Sequence, residues 1–504
     1  MRKQQSKEWR GFRTAGIRLT EEPAPGVESH RSEKVSAKLY AYHRFDKVHL
    51  VMLTEEELIP RKDGVAMLCA LRDMERTGVE AARMEAQGGM HSGEYFLIKR
   101  LSEDVGGRIH LGRSSGDLGE IGNRVQWRDQ LLNLIERINR YRTVLLETAE
   151  QYLDTVMPGY THGQSAQPTT YGHQLLAWEL AFGRDVERAC GTFERVNVSP
   201  AGAAILTGSN FPLNRHRTAE LFGFDRPALN TFDAILQHDV ELEVASVLAT
   251  HSHNMARTAE DLMLWSTSEF GMIDVPDRFC GTSSIMMQKK NPQAPQEIKG
   301  SAGAAVGGLV TAFMVEKGPT GMPIIDRSYA HTAIQQGFEY ALRDLDWMIQ
   351  MVPALNVKKD VMHERAGAFW GQATDVAGAL VREFGMPWRT AHQIVGILVR
   401  YTYERGLKPQ DVTTELLDEA AIEYMDEPVH LSDGALQAAL DPETFVRSRT
   451  LYGGPGPDEV RRRLPEYREG LERDEDWLGR RQEQQQQASD KLEAAIDALV
   501  AGTC

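Results

Sequence analysis

The chain is patterned for helices. Residues 124–155, RVQWRDQLLNLIERINRYRTVLLETAEQYLDT, contain neither glycine nor proline, and Leu131, Ile135, Ile138 and Leu145 recur close to one face at helical spacing. A single helix over this stretch would be about 48 Å long at a rise of about 1.5 Å per residue. A second pattern covers 239–268, where Val244, Val247, Leu248, His251, Met255 and Leu262 keep helical spacing until EFGMIDVP ends it. Third and fourth patterns lie around 294–316 and 331–352. Alternating runs bounded by turn signals are scarce. Long helices without intervening strands predict a mostly α fold around a central bundle. The expected segments are an N-terminal domain over 1–115, a central helical bundle domain over 116–366 and a C-terminal helical domain over 367–504.

Two stretches qualify this picture. YGGPGPDEVRRRLPEY, 452–467, reads as a connector. The low-complexity tail that follows carries Leu492, Ala495, Ile496 and Leu499 as an amphipathic stripe, which predicts a terminal helix. SAGAAVGGLVTAFMV, 301–315, is the most membrane-like run, but it stops at Glu316-Lys317 and is too short to span a bilayer. Its small residues predict a buried helix packed closely against others, and no membrane partner is expected.

Composition narrows the class. With 504 residues, 41% hydrophobic and 26% charged, the chain is globular. A net charge of −15 argues against nonspecific nucleic-acid binding, which needs a basic footprint. Cys69, Cys190, Cys280 and Cys504 show no CxxC or zinc spacing. The basic N-terminus MRKQQSKEWRGFR lacks the apolar core of a secretory signal, so a reducing cytoplasm is the expected location. His251 and His253 point about 200° apart on a helix, so His251 reads as a core or interface histidine and not as a metal ligand. There is no Walker loop, HExxH or GxSxG, and the glycines of GSAGAAVGG lack a strand-then-helix context. No metal and no cofactor are expected.

Three polar, glycine-bearing islands remain between the helices. HLGRSSGD, His110 to Asp117, joins a fork-shaped carboxylate binder, Arg113, to two hydroxyls, Ser114 and Ser115. Taken alone it reads as a helix cap before it reads as an anion site. MPGYTHGQSAQP, Met157 to Pro168, places Thr161, His162 and Gln164 in a shaped loop between prolines. GTSSIMMQKKNPQAP, 281–295, combines serines with two lysines and reads either as a solvated basic face or as a mobile site loop.

These islands, together with TGSNFPLNRHRTAELFGF (207–224), LNTFDAI (229–235) and AEDLMLWSTSEFG (259–271), occur in one order. In that order they resemble the argininosuccinate lyase branch of the aspartase/fumarase superfamily, over about residues 90–325. The resemblance implies a homotetramer with a shared helical core and active sites each built from three subunits. It also implies a small dicarboxylate substrate and reversible elimination of an amine to leave fumarate. Because the abstracted proton is not acidic, stabilising the charge left on the neighbouring carboxylate is the main requirement. By the same resemblance Ser283 is the general base, Lys289 and Asn291 hold the charged carboxylate, and Ser284 adds a contact. Arg113, Ser114, Ser115, Thr161 and Gln164 bind the substrate. His162 takes the family's histidine position, either orienting the site or protonating the leaving nitrogen.

The sequence departs from that pattern at several points. Gln296 stands where the family carries the glutamate partner of the histidine, Met287 where it carries proline and Thr282 where it carries glycine. Argininosuccinate lyases carry Ser-Arg-Asn-Asp where this chain has Ser114-Ser115-Gly116-Asp117. Their Ala-Tyr-Asn-Arg-Asp appears here as Ile325-Asp326-Arg327-Ser328-Tyr329. The Arg-Ser-Ser arrangement is more similar to lyases of ethylenediamine-disuccinate and related aminopolycarboxylates. An N-substituted aspartate is therefore the expected substrate. The alternatives are argininosuccinate itself or an inactive structural relative.

Overall fold

The computed structural model describes residues 38–86, 88–321 and 325–504. The basic segment at residues 1–13 lies outside the described residues. The fold is mostly α, as the periodicity predicts. The first helices are α1 (Leu39–Glu55), α2 (Arg61–Thr77) and the short α3 (Ser92–Arg100). The bundle is built from α4 (Ser115–Gln151), α5 (Tyr171–Val196), α6 (Asp239–Trp265), α7 (Gln293–Glu316) and α8 (Arg327–Met351). A smaller group follows, including α9 (Ala373–Phe384), α10 (Trp388–Arg405) and α11 (Thr414–Met425). The last helix is α12 (Pro457–Val500).

The apolar stripes read from the sequence are the buried ones. Leu131, Ile135, Ile138 and Leu145 of α4 and Val244, Val247, Leu248, Met255 and Leu262 of α6 all enter one core with α5 and α8. His251 is fully buried among them, with Nδ1 3.2 Å from Asp185 Oδ2, while His253 faces solvent. A second core joins α1 and α2 to residues 201–224, and a third holds α9 to α11.

Two expectations are corrected. The connector over 452–467 is only half a connector: α12 begins at Pro457 and carries Pro465 in its interior. It runs 44 residues, its Val460, Leu471 and Leu478 entering the bundle core and its Leu492, Ile496 and Leu499 the N-terminal core. Beyond it Cys504 is disulfide-bonded to Cys69 of α2, a pairing that no local spacing announces and that a reducing compartment disfavours.

The apolar run at 301–315 belongs to a 24-residue helix, α7, which is long and apolar enough to cross a membrane. Here it packs along α6 and α8 instead. Its small residues do not bury it, because Val306, Val310, Phe313 and Met314 stay exposed on one chain.

Candidate active site

The first island is the start of α4. Ser114 is its N-cap: Oγ accepts from Gly116 N at 3.1 Å, and Asp117 Oδ2 accepts from Ser114 N at 2.8 Å, a reciprocal capping box. Arg113 lies behind this cap, buried, with Nη1 donating to Asp46 Oδ1 at 2.7 Å and its guanidinium 5.7 Å from the centroid of the Phe45 ring. Arg83 pairs with the other oxygen of the same carboxylate. Burial alone would raise the Asp46 carboxyl, but the Arg83 and Arg113 charges and hydrogen bonds outweigh it and hold it below the usual range. Arg113 Nε and Nη2 have no hydrogen-bond partner among the described residues. Ser115 is exposed, and its Oγ lies 2.8 Å from His91 Nε2.

The second island is a β-hairpin, not a loop. Strand β1 (Val156–Thr161) pairs antiparallel with β2 (Gln164–Thr170), and Thr161 faces Gln164 across the turn. His162 and Gly163 have φ of 57° and 71°, the two positive values that a tight type I′ turn requires. Thr161, His162 and Gln164 are therefore presented to solvent at the tip. Tyr160, just before them, packs on Phe270 with ring centroids 5.5 Å apart.

The third island is pinched at its base by β3 (Gly281–Thr282) and β4 (Lys290–Asn291), with Gly281 opposite Asn291. Residues 283–289 form the lobe between them, with Ser284 and Met287 exposed. Ser283 Oγ accepts from Met286 N at 3.0 Å and Ile285 N at 3.3 Å. The two lysines have different surroundings. Lys290 pairs with Asp277 at 2.7 Å and Asp274 at 3.2 Å, whereas Lys289 makes no ion pair among the described residues. Lys289, Asn291, Gln296 and Glu297 line an open cleft of about 580 Å³ at the start of α7.

Within one chain, the second and third islands share one end of the bundle and the first lies at the other. Helix α4 has 37 residues, about 55 Å, and separates Ser114 from the base of the hairpin. Arg278, in the segment leading to Ser283, donates to Gln350 O near the end of α8. Helix α8 in turn begins beside the start of α4, where Arg327 bonds Glu120.

Comparison with known proteins decides what this arrangement belongs to. A family model described as lyase matches residues 75–307, and one described as argininosuccinate lyase C-terminal matches 370–447. The argininosuccinate lyase of Methanosarcina acetivorans is 36% identical over 90% of this chain and 90% of its own length. The chain belongs to the argininosuccinate lyase family. That makes it a fumarate-forming carbon–nitrogen lyase of the aspartase/fumarase superfamily. The Methanosarcina mazei argininosuccinate lyase is 38% identical over 85% of this chain and 86% of its own. An EDDS lyase variant solved with bound fumarate superposes with a TM-score of 0.85 at 30% identity, covering 92% of both chains.

Two of the positions that depart from the family pattern have defined surroundings. A Cβ at Gly116 would lie 2.5 Å from Ile205 Cδ1, the end of a side chain that can turn aside. Arg327, in the altered specificity segment, is buried between Glu120 Oε1 at 2.5 Å and Glu241 Oε2 at 2.9 Å, tying α4, α6 and α8 together. Asp326 and Tyr329 beside it are exposed. Sequence reasoning missed Asp46, His91 and Glu94, which support the first island from α1 and α3. The signal for the last two was the His-x-x-Glu spacing at the start of a helix, with His110 just ahead of Arg113.

Proposed function

We propose that this lyase releases fumarate from an N-substituted L-aspartate whose amine half is not arginine, an aminopolycarboxylate of the ethylenediamine-disuccinate type being the leading candidate. Ser283 takes the proton next to the carboxylate. The observation that carries this is the pair of backbone amides donating to its Oγ, since donors aimed at an oxygen favour its ionised form. Lys289, which makes no ion pair among the described residues, and Asn291 bind the carboxylate on which charge accumulates. The serine pair at 114–115, Thr161 and Gln164 hold the remaining carboxylates, with Ser284 closing over them as the lobe moves. Arg113 acts from behind the first island, with Nη1 held by Asp46. His162 orients the site from the hairpin tip, since Gln296 gives it no carboxylate partner.

Each site is assembled from three subunits of a homotetramer. Two features support this: the 37 residues of α4 between the first island and the hairpin, and the exposed apolar face of α7.

Incubation of fumarate with a panel of amines, read by mass spectrometry, tests the assignment. Ethylenediamine should yield an N-substituted aspartate and arginine should not. Product with arginine alone would instead favour argininosuccinate, the reading supported by the 36% identity to the archaeal enzyme. Ser283→Ala should lower turnover by about 10²–10⁴-fold, the usual contribution of a general base. A rate near the parent's would remove the serine from that role.

A further inference from the structure

Behind Ser115 lies a cluster that the proposed chemistry does not use. His91 and Glu94 open α3, and His110 comes from the turn that precedes α4. Both imidazoles direct Nδ1 at one carboxylate oxygen: His91 Nδ1 is 3.2 Å and His110 Nδ1 2.8 Å from Glu94 Oε2. The rings are stacked with centroids 5.4 Å apart, and the three donor atoms all lie within 4.8 Å of one another. We propose that His91, Glu94 and His110 form a binding site for a borderline divalent cation such as Zn²⁺ or Co²⁺.

The donor set suits such an ion. Two imidazole nitrogens and a carboxylate oxygen make three protein ligands and leave a position for water. His91 and Glu94 are buried and held in place, whereas the His110 side chain is 46% exposed and opens the cluster to solvent. The Glu94 carboxylate is held between the two imidazoles, so its oxygen is already oriented toward the position an ion would take. The ring nitrogen of His91 that faces away from the site is already engaged by Ser115 Oγ at 2.8 Å, the outer contact that fixes a metal-bound imidazole. Arg113 is the nearby charge that opposes a cation and weakens its binding.

Occupancy has a consequence for Ser115. A His91 ring with one proton, placed on Nδ1 toward the Glu94 oxygen at 3.2 Å, leaves Nε2 to accept from the Ser115 hydroxyl. With the cation on Nδ1, that proton moves to Nε2, with no net uptake or release. Nε2–H then donates to Ser115 Oγ, and the serine's own proton is free to face an anion outside the cluster. The cation thereby sets whether Ser115 is a donor toward the substrate side.

The test uses the full chain after chelator treatment, titrated with Co²⁺ alone and followed by visible absorption and calorimetry. One Co²⁺ per chain is expected, and His110→Ala and Glu94→Gln should each weaken binding by at least about tenfold. His110 is exposed enough to be truncated without disturbing the core, and circular dichroism checks this. Absence of saturable binding, or unchanged affinity in His110→Ala, would overturn the site. No substrate is present in the titration, so its outcome is independent of the lyase assay.

Discussion

At the scale of single residues, the ground beneath the first island is a small buried electrostatic knot. Asp46 accepts from two guanidiniums, and His49, three residues on, donates from Nε2 to Leu111 O at 2.9 Å just before Arg113. Burial, and then the Arg113 charge, push the His49 imidazole down to about 3. In the unfolded chain the same group takes up a proton near its ordinary value of about 6.5. The folded pKa is the lower one, so this stabilisation is fully present above about pH 6.5 and is lost progressively as pH falls toward 3. Urea denaturation at about pH 7.5 and about pH 5 should therefore show a lower midpoint in acid, and His49→Gln should narrow that difference. An equal pH dependence in the variant would show that His49 is not its source.

At the scale of elements, the cap of α4 separates two roles that sequence alone assigns to one serine. Ser114→Ala removes an N-cap oxygen that two backbone amides use, and should cost about 0.5–2 kcal/mol in denaturant unfolding. A fall in kcat/KM beyond the fraction unfolded would then measure Ser114's contact with substrate. Long helices were legible because their apolar faces repeat over many turns, as on α4 and α6. The hairpin at 156–170 was not, because its prolines and glycine hide strand alternation and its pairing is local to a bulge between Pro158 and Tyr160. Only the end of α12 was legible, from its stripe at Leu492, Ala495, Ile496 and Leu499; its start was not, since Pro465 reads as a breaker although the helix around it is held by two cores. The exposed side chains of the proposed site stand in the sequence as polar islands. Their buried supports, Asp46, His91 and Glu94, come from other elements, and only the fold shows that they converge.

At the scale of the whole molecule, one chain holds the parts of the proposed site at opposite ends of the bundle. Helix α7 leaves Val306, Val310, Phe313 and Met314 exposed on one chain, an apolar face of the kind that marks a contact surface. Covering it with neighbouring copies run antiparallel would bring one chain's Ser115 near another's Ser283, which no bend of the 37-residue α4 could do. This proposed arrangement has a quantitative consequence. Ser115→Asp places a negative charge against the substrate's carboxylates, and Ser283→Ala removes the base, so each homotetramer should be inactive. In tetramers reassembled from an equal mixture, a site takes its first island from one chain and its catalytic lobe from another. Random closed assembly then leaves both intact in about a quarter of the sites. Mixed tetramers should recover about a quarter of the parent activity, read after co-refolding and size-exclusion chromatography, while the two proteins mixed without subunit exchange stay inactive. If both parts came from one chain, no mixed assembly could contain an intact site, and recovery would be absent.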